Sequence, residues 1–497
     1  MADSAKLLFS DNDWTFARIA IVSEHIAAIA EKELRLDTYP NQLEVISAEQ
    51  MLDAYASTGL PMYYPHWSFG KQRAIESGQY RRGEMGLAYE LVINSNPCIS
   101  YLMEENTMMM QTLVIAHAAY GHNAFFKNNM FFKQWTDAEG ILDYLDFSKG
   151  YIAQCEERYG IDTVAEVIDA AHAINRNGVD RAPRPQKLSA YDEEQRRQDR
   201  ALFLEQHLSE IWRTLPNKSV SIVNAEEAPF PPEPQENLIY FIEKNAPNLE
   251  IWKREILRIV RKIAQYLYPQ GQTKIMNEGF ACFVHYHILH SLHAEGRISD
   301  GALLEFYANH TAVTFQPDFD SKRYTGMNPY ALGFAIFQDI KRVCLSPTEE
   351  DHRWFPFAGD PDWLKQIHFA MREFRDESFV LQYLSPKVMR DLHLFTLAND
   401  PNADAFQVTA IHDDAGYRYI RGALAQQIAE AARPADIQVV AVNRWGDRHL
   451  HLKNMNGQSL DRAEAKKTLD YIRMLWGYDV HLDMGRSSLA SEAVSGA

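Results

Sequence analysis

Cysteine is scarce in this 497-residue chain, and its four cysteines stand far apart in the sequence. They form no CxxC pair, and their scatter is not typical of the disulfide framework of a small secreted domain. Apolar runs long enough for a membrane span are also absent, and the first residues lack the apolar core of a signal peptide. The sequence therefore predicts a cytoplasmic protein without a membrane span.

Positive charge is in deficit. Fifty Lys and Arg against 67 Asp and Glu leave a formal net charge of −17, which repels a phosphate backbone, so no nucleic-acid binding is expected. The motifs GxxxxGK[ST], GxGxxG and GxSxG are missing as well. Their absence argues against a nucleotide cofactor and against the nucleophile elbow of the α/β-hydrolases.

Apolar side chains recur with a helical period through most of the first 395 residues, whereas LPMYYPHWSFGKQ (60–72) is predicted as a loop. Residues 175–187 and 224–235 have the composition of exposed connectors. From about Asp400 the pattern changes to strand-like segments at 406–411, 417–420, 437–442, 450–452 and 478–482, with helical stretches at 420–432 and 461–475. We therefore predict a mainly α N-terminal body (1–395), a small C-terminal α+β domain (403–485) and a flexible tail (486–497).

Histidines on two of the predicted helices suggest a metal site. His117 and His122 lie on VIAHAAYGHNAFFKNN, and Glu278, Cys282 and His285 share one face of MNEGFACFVHYHI. Imidazole and carboxylate are ligands that zinc accepts. His117 and His122 are five residues apart, about 140° around a straight α-helix, so joint coordination requires a π-bulge, for which Gly121 is a plausible cause. We take His117, His122 and Glu278 as candidate zinc ligands, with Cys282 and His285 as weaker ones.

The GH step and the string NEGFA resemble pieces of the gluzincin-type zinc metallopeptidases. In that pattern an HExxH helix supplies two histidines and a general base, and a second helix supplies a carboxylate ligand. Here the general-base position holds Ala119, so the pattern is degenerate. A displaced base could come from Glu90, Glu104 or Glu105, among which spacing does not choose.

Two further features bear on a ligand site. Aromatic residues are mixed with polar ones around His66, Lys71, Asn123, Lys127 and Asn128, as in a pocket for a polar ligand, although a packed helix end has the same composition. The helical histidines could equally be hydrogen-bonded core groups, with Glu278 paired to Lys127 or Arg323 and no metal bound.

The strings YYPHWSFGK, GLAYELVINSNPCISYLMEENTMMMQTLVIAHAAYGHNAFFKNN and MNEGFACFVHYHI occur in this order and are similar to those of the SpoVR (stage V sporulation protein R-like) family. The resemblance implies a link to spore cortex formation or to stress and cell-envelope physiology. It also implies two partners, a PrkA-type serine kinase and a von Willebrand factor A-like protein. Two functions therefore stay open: a metal-dependent hydrolase acting on a peptide or amide bond, and a non-catalytic partner or scaffold of those two proteins.

Overall fold

The computed structural model describes residues 7–56, 64–81, 90–183, 230–318, 321–394, 396–398, 407–409, 413–432, 435–485 and 488–491. The described residues belong to two compact units, the first formed by 1–166 with 265–434 and the second by 167–264 with 435–497. No helix within these described stretches has the length and apolar character needed to cross a membrane.

Helices dominate the described chain. In chain order they are α1 Phe16–Lys32, α2 Ala48–Ala56, α3 Trp67–Arg81, α4 Met108–Val114, a π-helix Ile115–His122, α5 Asn123–Asn128, α6 Met130–Trp135, α7 Ile141–Tyr159, α8 Ile161–Ala173, a 3₁₀ turn Asn175–Asn177, α9 Leu238–Asn245, α10 Ile251–Gln272, α11 Lys274–Ala294, α12 Asp300–Thr314, α13 Pro329–Leu345, α14 Glu349–Trp354, α15 Trp363–Glu373, α16 Asp376–Tyr383, α17 Pro386–Asp391, α18 Asp414–Ala432 and α19 Arg462–Trp476. The predicted mainly α body is thereby confirmed.

The predicted loop at 60–72 is wrong from Trp67 onward, where α3 begins, and its first residues, 60–63, lie outside the described part of the chain. The side chain of His66 explains this start, because its Nδ1 lies 3.3 Å from the backbone nitrogen of Ser68 and so meets an otherwise unpaired donor of the first turn.

A small sheet interrupts the helical body, and the sequence pattern did not predict it. Strands β1 Asn41–Ile46, β2 Glu90–Ile93 and β3 Cys98–Met103 are ordered β1-β3-β2, with β1 parallel and β2 antiparallel to β3. Their side chains are buried on both faces in part, so the alternation that marks an exposed strand is weak. The sheet matters for the site because Glu90 begins β2.

The C-terminal α+β region has the predicted character, although the strand predicted at 417–420 is wrong, because these residues lie within the helix α18. Strands β4 Thr396–Ala398 and β5 Gln407–Thr409 form an antiparallel pair, and β6 Ile437–Val442, β7 Leu450–Asn454, β8 Val480–Asp483 and β9 Ser488–Ala490 form a sheet in that order. Helix α19 connects the parallel strands β7 and β8.

The compact units divide the chain differently from the predicted domains. Helix α18 falls in the first unit, whereas residues 167–264 fall in the second together with the C-terminal sheet. Within the predicted tail, 488–490 form β9, which pairs antiparallel with β8.

Glycines let three helical segments approach at backbone distance around the middle of the first unit's core. A Cβ added to Gly121 of the π-helix would lie 2.6 Å from the Cα of Ala281 on α11. A Cβ on Gly279 of α11 would lie 2.4 Å from the Cα of Gly333 on α13. The π-helix and α13 therefore pack directly against α11, which carries Glu278.

Candidate metal centre

The π-helix brings His117 and His122 together. Its hydrogen bonds run from residue i to i+5, so side chains five residues apart lie nearly above one another rather than on different faces. The two rings have centroids 4.6 Å apart, and both side chains are buried. The spacing that a straight α-helix could not accommodate is thus accommodated by this local change of helix type.

Two carboxylates from other elements face this pair. Oε1 of Glu90, on β2, lies 3.2 Å from Nε2 of His117 and 3.8 Å from Nε2 of His122. Oε2 of Glu278, on α11, lies 3.5 Å from Nε2 of His122 and 3.8 Å from Nε2 of His117. Glu90 and the two histidines therefore have ligand atoms that all lie within 4.8 Å of one another, and Oε2 of Glu278 lies close to both histidines.

These separations suit a metal ion better than a hydrogen-bond network. A tetrahedral zinc ion with bonds of about 2.1 Å holds its ligand atoms about 3.4 Å apart, close to the 3.5 and 3.8 Å that separate Oε2 of Glu278 from the two imidazole nitrogens. Three of the four contacts are too long for a good hydrogen bond. Oε2 of Glu278 is buried and receives no hydrogen bond from the described part of the chain. The donor set fits a divalent cation.

Asn277 fixes the orientation of His122. Its Oδ1 lies 2.9 Å from Nδ1 of His122 and, as a carbonyl oxygen, can only accept, so Nδ1 carries the proton. The lone pair of Nε2 then points toward the two carboxylates. A histidine ligand whose other nitrogen donates to a carbonyl oxygen is the usual arrangement around protein-bound metals.

Two further histidines form a chain of hydrogen-bonding contacts that begins at Nδ1 of His117. Its Nδ1 lies 2.8 Å from Nδ1 of His285, and Nε2 of His285 lies 2.8 Å from Nδ1 of His310 on α12. Burial lowers the pKa of His285 well below its usual value and that of His310 to about 4, so both rings are neutral. When His117 donates through Nδ1, its Nε2 presents a lone pair to the carboxylates.

Comparison with known proteins gives the family. Residues 13–433 match the family described as SpoVR like protein, and 435–486 match the SpoVR-like C-terminal domain. This chain belongs to the SpoVR family. It is 53% identical over 473 residues, 95% of this chain and 92% of the relative, to the "Uncharacterized protein YcgB" of Escherichia coli (strain K12). No solved structure matches this SpoVR chain.

The electrostatics of the SpoVR centre depend on burial and on the close carboxylates. Burial raises the pKa of Glu90 to about 7, with Glu278 adding to the rise and His117 opposing it. Burial also acts to raise the pKa of Glu278, but the imidazoles of His122 and His117 outweigh it and hold that pKa below the usual range. Burial lowers the pKa of His122 to about 4, so that ring is neutral. Burial acts to lower the pKa of His117, but Glu90, Cys282 and Glu278 outweigh it and raise that pKa well above its usual value. In the metal-free protein the His117 imidazolium therefore offsets the carboxylate charge, a role that a bound divalent cation would take over.

The two weaker ligand candidates lie on the far side of His117. Ligand atoms of Cys282 and His285 lie within 4.8 Å of one another and of a ring nitrogen of His117. Both ring nitrogens of His285 have hydrogen-bonding neighbours, which places this residue in the support of His117. Burial raises the pKa of the Cys282 thiol, against the opposing influence of His117.

Of the three candidate bases, the structure brings only Glu90 to the centre. Glu104 and Glu105 are exposed just after β3, where the Glu104 carbonyl accepts a hydrogen bond from Trp14 Nε1 and Glu105 Oε1 lies 3.4 Å from the Ala48 nitrogen. Sequence reasoning could not rank Glu90 above them because β2 was not predicted.

The pocket candidates occupy other places. Asn123, Lys127 and Asn128 hold residues 37–41, since Asn123 pairs with Tyr39 and Asn41, Lys127 with Asp37 and Thr38, and Asn128 with the Asp37 carbonyl. The alternative pairing of Glu278 with Lys127 is wrong, because Lys127 forms its ion pair with Asp37. His66 lies at the start of α3, and Lys71 is exposed along that helix.

Proposed function

We propose that this SpoVR-family protein is a metal-dependent hydrolase that cleaves a peptide or amide bond, with a zinc-type centre held by His117, His122 and Glu278. The convergence of the two ring nitrogens and Oε2 of Glu278, with Asn277 directing His122 inward, carries the proposal. Two imidazoles and a carboxylate form the protein ligand set of many hydrolytic zinc sites, which leave one position open to water.

Glu90 supplies the base in this proposal. The position that holds the glutamate of an HExxH helix is Ala119, a buried residue of the π-helix. Glu90 reaches the same centre from a strand, with Oε1 3.2 Å from Nε2 of His117. A bound zinc ion would acidify a water molecule at the open position, and Glu90 is placed to take that proton and return it to the leaving amine.

Substitution of the two carboxylates separates ligand from base. We expect Glu278→Gln to lose the metal, because a neutral amide is a poor zinc ligand, and Glu90→Gln to keep it but lose hydrolysis. Glu105→Gln, on an exposed carboxylate, is the matched control and should change neither. Metal content is measured by elemental analysis of protein purified without an affinity tag, and hydrolysis by mass spectrometry of a peptide library.

Two outcomes would contradict the proposal. If Glu90→Gln loses the metal as fully as Glu278→Gln, then Glu90 is a ligand and not the base. If the purified protein holds no metal and zinc leaves its melting temperature unchanged, the hydrolase is rejected. The remaining proposal is then the non-catalytic partner of a PrkA-type serine kinase and a von Willebrand factor A-like protein.

A further inference from the structure

His117 faces a second group of potential metal ligands with its other ring nitrogen. Its Nε2 lies near the carboxylates of Glu90 and Glu278, whereas its Nδ1 lies 2.8 Å from Nδ1 of His285. Cys282 precedes His285 by about one turn of α11, so the two side chains lie on one face of that helix. Sγ of Cys282, a ring nitrogen of His285 and one of His117 all lie within 4.8 Å of one another. The imidazole of His117 therefore lies between two sets of donor atoms.

The spacing of the two imidazoles suits a shared ion after a small adjustment. Zinc binds histidine nitrogen at about 2.1 Å, so two nitrogens on one tetrahedral ion lie about 3.4 Å apart. The two Nδ1 atoms are 2.8 Å apart, and an ion that displaces the proton between them requires them to separate by about 0.6 Å. Rotation of the rings about their side-chain torsions supplies a movement of this size, because the outer torsion of histidine is broad. The backbone can stay in place.

The neighbours of this group keep its donors oriented. Nε2 of His285 lies 2.8 Å from Nδ1 of His310 on α12, so Nδ1 of His285 stays directed at His117. A ligand histidine whose other nitrogen is hydrogen-bonded in this way keeps a fixed ring orientation. Ala281, which precedes Cys282, packs at backbone distance against Gly121 of the π-helix. The three donors are therefore carried by two helical segments in direct contact.

Donor type and burial define the kind of ion and its role. A thiolate with two imidazoles is the donor set of trigonal copper sites, and zinc takes the same donors, whereas Mg²⁺ and Ca²⁺ prefer oxygen. Cys282 is inaccessible to solvent, and only 3% of His285 and 4% of His117 is exposed. An ion enclosed in this way holds the ring of His117 in place and does not exchange substrate.

We propose that Cys282, His285 and Nδ1 of His117 bind a second, thiophilic metal ion, Zn²⁺ or Cu⁺, behind the candidate centre formed by His117 Nε2, His122 and Glu278. Binding forms one metal–sulfur and two metal–nitrogen bonds, and the protons of the thiol and of His117 Nδ1 pass to solvent, because a coordinating cysteine is a thiolate. When the candidate centre is occupied as well, His117 bridges the two ions as an imidazolate. This bridge rests on the proposed function, whereas the cysteine site itself does not.

The test uses the full-length protein without an affinity tag, loaded with Co²⁺, whose bond to a thiolate gives an intense charge-transfer absorption in the near ultraviolet. Equilibrium dialysis gives the stoichiometry. We expect Cys282→Ser to lose this absorption and to bind one fewer ion than wild type, because a serine hydroxyl is a poor ligand. Glu278→Gln should also bind one fewer ion but keep the absorption, which separates the second site from the candidate centre.

The matched control is Cys155→Ser, since Cys155 is a buried thiol on α7 in the same compact unit. It should leave both readouts at the wild-type value. Wild type without the thiolate absorption, or Cys282→Ser that keeps it and is folded by circular dichroism, would overturn the proposal and leave the candidate centre intact. If Glu278→Gln binds as many ions as wild type while the absorption depends on Cys282, the candidate centre fails and the second site stands.

A measurement on wild type alone covers the case in which Cys282→Ser does not fold. X-ray absorption spectra of the protein loaded with Zn²⁺, and separately with Cu⁺, report the atoms bound to each ion. Sulfur in the first shell of either ion supports the site and identifies which of the two it takes. A shell of nitrogen and oxygen alone for both ions rejects it.

Discussion

Substituting Gly121 by alanine tests the packing on which the candidate centre depends. The new Cβ would lie 2.6 Å from the Cα and 2.8 Å from the Cβ of Ala281. Recovering an ordinary carbon–carbon separation of about 3.5 Å requires the π-helix and α11 to move apart by about 0.9 Å. Gly121 precedes His122, and Ala281 lies on the helix that carries Glu278, so the displacement falls on the ligand set.

The expected magnitude has two parts. Alanine in place of glycine within a helix gains about 0.5–1 kcal/mol, whereas overpacking of a close contact costs about 1–3 kcal/mol. We therefore expect Gly121→Ala to lower the free energy of unfolding by about 1 kcal/mol, within a range of about 0–2.5 kcal/mol. Metal sites tolerate errors of about 0.2 Å in bond length, so a 0.9 Å displacement should weaken zinc binding at least about tenfold.

Gly150→Ala is the matched control. Gly150 lies inside α7, in the same compact unit, and its added Cβ would have no neighbour within 4 Å. The helix gain then stands alone, and we expect an increase in unfolding free energy of about 0.5–1 kcal/mol. Urea unfolding followed by tryptophan fluorescence and zinc binding by chelator competition give the two readouts. The reasoning is refuted if Gly121→Ala stabilises the protein as Gly150→Ala does, or if it binds zinc like wild type.

Two further predictions concern the support of His117 and an ion pair remote from it. His310→Leu removes the hydrogen-bonding neighbour of His285 Nε2 and should weaken zinc binding about tenfold. His310→Asn, whose Oδ1 can replace Nδ1 as the acceptor, should bind zinc nearly as tightly as wild type. Equal zinc affinities of His310→Leu and wild type in a chelator competition assay would exclude a positioning role for His310. Burial acts to raise the pKa of Asp351, but hydrogen bonds from Arg342 and Thr348 outweigh it and hold that pKa at about 2, below its unfolded value of 3.8. Because the folded pKa is depressed, this contribution of about 2 kcal/mol is full above pH 4 and lost as the pH falls toward 2. Relative to wild type, Asp351→Asn should therefore be destabilised by about 2 kcal/mol at pH 6 and by only about a third of that at pH 2.5, and a difference in unfolding free energy that stays constant over this range would disprove the pairing.

Much of the fold follows from periodicity. Apolar residues recurring every three to four positions predicted the long helices, and strict alternation predicted β6 and β7, because each pattern reflects one buried face. The sheet β1-β3-β2 was missed for the same reason: β3 is buried on both faces and alternates little. Periodicity identifies amphipathic elements and fails for elements buried all round.

The residues of the candidate site were likewise predicted only where a local sequence pattern marked them. Sequence spacing led to His117, His122 and Glu278, and it identified the π-bulge as the condition for the two histidines to meet. It could not select Glu90, whose position depends on the missed strand. His310 gave no sequence signal, since its role comes from the packing of α12 beside α11 and not from any local spacing.

The contact between Gly279 and Gly333 determines which part of the centre can vary. A side chain absorbs the movement of a neighbour by changing rotamer, but two backbones in contact have no such compliance. Glu278 adjoins Gly279, so its helix α11 packs directly against both the π-helix and α13. These three helical segments form a rigid unit. Of the four clustered residues at the candidate centre, Glu90 alone lies on an element outside this rigid unit, the strand β2. A change in the chemistry of this centre would therefore be accommodated most easily at Glu90 on β2, whereas His117, His122 and Glu278 would keep their positions.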